Sequence, residues 1–218
     1  MKPAELTAAW AGLEVSPTQW AQLELYANWL VDEAIPAGGL GPREADKVWG
    51  RHIADSLAFA VAWRGQEPPH ELLDLGSGVG LPGIPLAIVW PECRFTLLDK
   101  AGRRTRLMLR AIRVLGLENT IVAQGDAFDV ADEWHAVVAR GAVSAPEFVG
   151  LSSKLVDDEG VSVLGLSRRT ERPERADDLM NVADGLGLSA ELVEVPESAL
   201  DAVAWLLIMR RSGLHAAT

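Results

Sequence analysis

At 218 residues and 49% hydrophobic, the chain has the material for one ordinary domain with a buried core, which excludes an intrinsically disordered protein. Its net charge of −11 excludes a protein that coats nucleic acid by bulk electrostatics, and its single cysteine, Cys93, excludes an internal disulfide or a cysteine cluster. No run approaches the roughly 18 apolar residues of a membrane helix, and the start, Met1-Lys2-Pro3-Ala4-Glu5, lacks the basic-then-apolar pattern of a signal peptide, so a cytoplasmic protein is expected.

Ser16-Pro17 reads as a helix cap followed by proline at the first helical position, and Trp20, Leu23, Tyr26, Ala27 and Leu30 continue an amphipathic helix. The run Pro36-Ala37-Gly38-Gly39-Leu40-Gly41-Pro42 breaks it, and a further helix is predicted from about Arg43 to Trp63, ended by Glu67-Pro68-Pro69. From Glu71 the period changes to short apolar runs alternating with helical ones, the signature of a βαβ series. Seven strands are predicted, over 72–75, 94–98, 120–123, 136–139, 161–166, 191–195 and 202–209. The last two lie too close together for a helical crossover, which predicts an antiparallel hairpin at the end of a mainly parallel sheet. The mixed-charge stretch 168–178 reads as a solvated loop and the start of a helix. The expected architecture is a Rossmann-like α/β fold in one structural domain, with an N-terminal helical layer over 1–66 packed on a core over 67–218.

The most informative segment is Asp74-Leu75-Gly76-Ser77-Gly78-Val79-Gly80, a strand running straight into glycines and then the apolar helix-like segment 84–90. Glycines at such a strand end permit a tight turn and close backbone approach to a nucleotide-like ligand. Dinucleotide binders use G-x-G-x-x-G; here the third glycine falls one position early and Leu81 occupies the slot a dehydrogenase gives to glycine. S-adenosylmethionine (SAM) has no pyrophosphate to seat on the helix, so this spacing points to SAM and away from a nicotinamide cofactor. Asp99 ends the second strand, 23 residues after Gly76, where an acid typically accepts ribose hydroxyls. Asp126, after the third strand, stands either at the adenine edge or as a solvated strand end. The expected cofactor set is therefore Asp74, Gly76, Ser77, Gly78, Gly80, Leu81, Asp99 and Asp126.

The charge is uneven. Lys100, Arg103, Arg104, Arg106, Arg110 and Arg113 fall between positions 100 and 117 with no acidic residue among them, leaving −17 for the rest of the chain. Arg103, Arg106, Arg110 and Arg113 recur at spacings of three, four and three while Leu107, Met108, Ala111 and Leu115 turn inward, giving one helix a cationic face. Such a stripe is either a solvated face or a contact with RNA phosphates, and the lack of mixed signs favours the second. No P-loop is present, nor any metal-ligand spacing among His52, His70, His135 and His215; His70 and His215 read as surface residues.

The segment Gly76-Ser77-Gly78-Val79-Gly80-Leu81-Pro82-Gly83-Ile84-Pro85-Leu86-Ala87 resembles the loop of the glucose-inhibited division protein B family, also called RsmG. Arg51-His52-Ile53-Ala54-Asp55-Ser56-Leu57 is similar to that family's R-H-x-x-D-S-L, Leu97-Leu98-Asp99 with Gly102-Arg103-Arg104 to its acid and basic-pair segment, and Ala139-Arg140 to its S-R-A after the fourth strand. The chain departs from the pattern at Gly39-Leu40-Gly41, where an N-L-T-like motif is usual, at Lys100, where serine is common, and at Gly141, where alanine follows the arginine. The resemblance implies a SAM-dependent methyltransferase acting on a guanine N7 of small-subunit (16S) ribosomal RNA, with the small subunit or its RNA as partner and no metal or membrane; a monomer is expected. Rival readings are a methyltransferase with another RNA or a small-molecule acceptor, and a SAM-binding ribosome-assembly factor without catalysis.

Guanine N7 carries an available lone pair, so alignment with the methyl donor matters more than a general base. Arg140, at the end of strand four, is the first candidate for orienting the acceptor, because a guanidinium clamps a phosphate or base edge with two parallel hydrogen bonds; a plain ion pair is the alternative. His52 is the second candidate: periodicity alone reads it as a satisfied structural histidine, while the resemblance implies a cofactor-lining or active-site role for the segment from Arg51 to Ser56. On a regular helix Asp55 and Ser56 fall three and four residues later, so all three are expected to share one polar face directed at the strand ends.

Overall fold

The computed structural model describes residues 3–166 and 168–211; His215 lies outside the described residues. The chain opens with α1 (Pro3–Ala11) and α2 (Pro17–Trp29). Ser16 and Gln19 form a reciprocal capping box at the start of α2, the Ser16 side chain accepting from the Gln19 backbone and the Gln19 side chain from that of Ser16. The Gln19 amide also donates to the carbonyls of Ile88 and Val89, at 3.0 and 3.1 Å, and so ties α2 to the core helix α4 introduced below.

The stretch expected to form one regular helix over 43–63 is helical but changes pitch along its length. A 3-10 turn (Ala45–Lys47) leads into a wide π turn (Val48–Ile53), a short α3 (Ala54–Ala58) and a second 3-10 turn (Phe59–Trp63). In the π turn the Ala54 N–H reaches back five residues to the Trp49 carbonyl, and the Gly50 carbonyl accepts from the Arg168 guanidinium. Widened turns of this kind are frequent at functional sites.

Seven strands follow: β1 (Glu71–Leu75), β2 (Arg94–Asp99), β3 (Thr120–Gln124), β4 (Trp134–Arg140), β5 (Val156–Gly165), β6 (Leu188–Val195) and β7 (Ala204–Arg211). Between them lie α4 (Gly83–Val89), α5 (Gly102–Leu115), α6 (Ala145–Leu155) and α7 (Ala176–Gly185). They form one sheet in the order β3-β2-β1-β4-β5-β7-β6, parallel except for β7, which runs antiparallel to both β5 and β6. All seven predicted strands are present. The fourth and fifth begin earlier than predicted, where the register between them shifts at Trp134 to Ala136 and hides the pairing from simple alternation; the sixth also begins earlier, at Leu188, and the seventh later, at Ala204.

The helices make two layers on the sheet. One core joins α1 to α5 with inward residues such as Leu72, Phe95, Leu97 and Val138; the other joins α6 and α7 with Leu73, Leu75, Val137 and Ala139 on the opposite face. Every residue of α4 is buried, since it lies between the sheet and the N-terminal helices. That explains why its sequence is apolar all round instead of amphipathic. From β1 the chain moves by way of α4 to β2 on one side, and from β4 by way of α6 to β5 on the other. The neighbours β1 and β4 thus flank a switch point, the place where parallel α/β sheets open a crevice at the carboxyl ends of their strands.

Candidate active site

The glycine loop leaves β1 at this crevice. Gly76, Gly78 and Gly80 have φ of +67°, +67° and +103°, a left-handed region that disfavours side chains. A Cβ on Gly76 would stand 2.2 Å from that of Ala142, on the loop after β4, and one on Gly80 would strike Ile84 at 2.3 Å, so both glycines are required by close packing. At Gly78 a Cβ would meet nothing within 4 Å, which leaves its outer side open to a ligand.

Asp74 lies below this loop with no exposure. Its Oδ2 accepts from the Ser77 hydroxyl and, at 2.9 Å, from the Gly83 N–H at the start of α4, while its Oδ1 has no partner. Burial pushes its carboxyl up to about 6, against the opposing pull of the Ser77 hydrogen bond. Asp99 is 2% exposed and accepts from the Gly78 N–H at 3.0 Å and the Ala101 N–H at 2.8 Å, which joins the end of β2 to the glycine loop.

A cavity of about 270 Å³ opens beside these groups, lined among others by Gly76, Asp99, Asp126, Phe128, Gly141 and Glu147. Of the expected cofactor residues, Gly76, Asp99 and Asp126 are in its wall and Gly78 is open beside it. Asp74, Ser77, Gly80 and Leu81 are buried beneath and shape the loop. Asp126 caps the turn after β3 by accepting from the Phe128 N–H at 3.2 Å. Phe128, 57% exposed, is an aromatic wall that sequence reasoning missed, because one phenylalanine in a short turn has no periodic neighbour.

A larger cavity, of about 600 Å³, is lined by Lys47, Arg51, His52, Asp55, Arg140, Leu166, Arg168 and Asp201. Arg140 reaches it from the end of β4, one residue before the Gly141 of the smaller cavity, so a single loop separates the two. Its guanidinium makes long contacts only: 3.5 Å to the Arg51 carbonyl, 3.5 Å to His52 Nδ1 and 3.8 Å to Asp55. His52 is buried and holds Glu44 through Nε2 at 3.1 Å. Burial, with the Arg140 charge beside it, lowers the His52 pKa to about 4, so the ring is neutral; these partners assign the proton to Nε2, leaving Nδ1 to accept from Arg140.

Two expectations are corrected here. Ser56 does not share a polar face with His52 and Asp55: it is fully buried, and its hydroxyl turns back to the His52 carbonyl at 2.7 Å, as hydroxyls in helices do when they lack an outside partner. Arg168, expected in a solvated loop, is pinned by Asp55 at 2.6 Å, by the Gly50 carbonyl and by Asp201, drawing the loop after β5 onto the N-terminal layer. Burial raises the Asp55 carboxyl, while its hydrogen bonds from Arg168 oppose that rise. No local signal marks Arg168 or Asp201, because their partners lie 113 and 33 residues from Arg168.

The basic stripe divides. Lys100 and Arg104 line the smaller cavity, where they pair with Asp126 and Asp99, both at 3.5 Å. Arg103, Arg106, Arg110 and Arg113 are exposed along α5, whose inner face buries Thr105, Met108, Ala111 and Leu115; Arg110 pairs with Glu33 at 2.7 Å. Gly39 also has a physical reason: a Cβ there would meet Val79 at 2.5 Å and the Ala34 carbonyl at 3.1 Å, so the preceding loop packs too tightly on the glycine loop for asparagine.

A sheet of this order, with glycines after its first strand and an acid closing its second, is the architecture of the class I SAM-dependent methyltransferases. Solved structures superpose accordingly. Fibrillarin from Aeropyrum pernix, in complex with natively bound S-adenosyl-L-methionine, matches at TM-score 0.53 with 18% identity, covering 66% of this chain and 67% of that one. A putative sarcosine dimethylglycine methyltransferase from Galdieria sulphuraria matches at 0.56 with 13% identity, covering 82% and 90%. Within that class, the chain belongs to the GidB family, rRNA small subunit methyltransferase G, whose model matches residues 19–183. Proteins named ribosomal RNA small subunit methyltransferase G are 37% identical over 141 residues in Mycolicibacterium smegmatis and 31% identical over 205 residues in Klebsiella pneumoniae. The first alignment covers 63% of this chain and 59% of the relative, the second 92% and 93%. Among the described residues no helix is long and apolar enough to cross a membrane, and no group of side chains is arranged to hold a metal ion.

Proposed function

We propose that this chain transfers the methyl group of SAM to N7 of a guanine in small-subunit (16S) ribosomal RNA, acting as a monomer in the cytoplasm. The observation that carries this reading is the adjacency of the two cavities: a small groove built on the glycine loop and Asp99, and a larger cation-lined cavity, separated by the loop that follows Arg140.

The residues fit the cofactor. The open side of Gly78 admits a close approach, the Asp99 carboxylate has lone pairs left for ribose hydroxyls, and Phe128 presents a flat apolar wall for an adenine. Bound there, SAM supplies a methyl carbon on a sulfonium, which a lone pair attacks as the carbon–sulfur bond breaks. The protein orients the acceptor and excludes water, and those tasks need no side chain to take a proton. The environment of His52 accords with this, since its Nε2 is engaged by Glu44 and its Nδ1 faces Arg140. Arg140, loosely held by its neighbours, is the group that meets the acceptor, and the exposed arginines of α5 provide a path for the RNA backbone.

The test incubates the purified protein with methyl-labelled SAM and, separately, small subunits, free ribosomal RNA and a metabolite pool. Label is expected in RNA, at a position that chemical cleavage specific for N7-methylguanine reveals. Label confined to the metabolite pool, or SAM binding with no transfer, would overturn the reading.

A further inference from the structure

The cations around the larger cavity are of two kinds. Arg140 and Arg168 form its floor, each 21% exposed, and both face the carboxylate of Asp55. Lys47 and Arg51 stand at its mouth, 51% and 49% exposed. They are four residues apart on the continuous helical run that passes from a 3-10 turn into a π turn, and they border the same cavity. Both contact Glu44, the lysine at 3.5 Å and the arginine at 3.4 Å, and the same carboxylate also holds His52 at 3.1 Å. One carboxylate therefore faces two full positive charges and a neutral ring, and the cavity's other exposed carboxylate, Asp201, is held by Arg168, which leaves a surplus of one positive charge at the mouth.

We infer that Lys47 and Arg51 form a phosphate-binding site for the target nucleotide, separate from the arginine face of α5, gripping its backbone while the base descends toward Arg140. The inference rests on the RNA reading above and adds a place for the acceptor's own phosphate. The cavity volume lies within the range of pockets that enclose a small organic ligand, so a nucleotide fits it. A phosphate oxygen at the mouth offers each cation a stronger and less shared partner than Glu44, whose carboxylate then remains with His52. Arg51 also offers its backbone carbonyl to Arg140 at 3.5 Å, so the phosphate grip and the base-orienting guanidinium are joined through one residue.

The experiment compares the parent, Lys47→Gln, Arg51→Gln, the double variant and the charge-conserving pair Lys47→Arg with Arg51→Lys. Each is assayed for SAM affinity by calorimetry and for methylation of small subunits across a salt series. Neutral variants are expected to bind SAM as the parent does. The double variant should raise KM for the subunit by on the order of tenfold near 0.1 M salt and flatten the salt slope by about 0.7 per lost contact. The charge-conserving pair should restore the slope, which a purely structural role would not require. Unchanged KM and slope in the double variant, with the parent active on RNA, would overturn this inference alone. A parent that labels no RNA at all would overturn the proposed activity and this inference with it.

Discussion

The two cavities are built by different means. The proposed cofactor groove is founded on backbone: three left-handed glycines, the Gly78 N–H donated to Asp99, and two packed contacts that leave no room for a Cβ, set at the ends of β1 and β2 and walled by the turns after β3 and β4. The larger cavity, proposed to take the acceptor, is made of side chains from separate elements, with Arg51, Arg140, Arg168 and Asp201 contributed by the helical layer, β4, the loop after β5 and the loop before β7. A site made of contiguous backbone writes a motif into the sequence, whereas one made of converging charges writes almost nothing. The first should tolerate no side chain at its glycines; the second should tolerate changes in its members but lose function when one charge goes.

The largest effect is expected at Gly78. Valine there must adopt a left-handed φ, a strain of about 1–2 kcal/mol, and would fill the open side where the cofactor approaches. Calorimetric titration of Gly78→Val is expected to detect no SAM binding while circular dichroism shows a folded chain; unchanged affinity would remove the groove from the cofactor's path. Arg140→Ala tests the other region and ranks next. Turnover is expected to fall by on the order of a hundredfold while SAM affinity stays within a few-fold, because the role proposed for the residue is to orient the acceptor and not the donor. Equal losses of binding and turnover would shift Arg140 into the cofactor groove and erase the distinction between the two cavities.

This contrast also explains what could be read beforehand. The seven strands, the antiparallel hairpin, the glycine loop and Asp99 were legible because each depends on neighbours within a few residues or on a simple period. The arginine stripe was legible as a helical face, but its division was not: that Lys100 and Arg104 turn to Asp126 and Asp99 depends on contacts between the ends of β2 and β3. The pitch changes over residues 45–63 were hidden because they are linked to a tertiary partner, Arg168, at the Gly50 carbonyl. Arg168 and Asp201 were illegible for the same reason, each being an ordinary charged residue in a loop until the fold brings Asp55 between Arg140 and Arg168.

Acid titration should separate the regions once more, with opposite signs. His52, in the acceptor cavity, has its pKa lowered from 6.5 to about 4, so the unfolded chain takes up its proton first as pH falls; the stability this residue contributes is full above 6.5 and is lost on descent through about 4. Asp74, beneath the cofactor loop, is raised from 3.8 to about 6, so the folded chain takes up its proton first; its contribution is full below 3.8 and is lost as pH rises through about 6. Each interval corresponds to about 3 kcal/mol at ~1.4 kcal/mol per pH unit, and because the two overlap with opposite slopes the parent is expected to change little between pH 4 and 6. The variants unmask the terms. In urea titrations, His52→Gln should gain stability relative to the parent as pH falls from 6.5 to 4, and Asp74→Asn should lose it from 6 to 3.8. Parallel pH profiles for parent and His52→Gln would mean that the ring is not held neutral by burial and Arg140. In that case the acceptor cavity would share the solvent-like electrostatics of the surface around it.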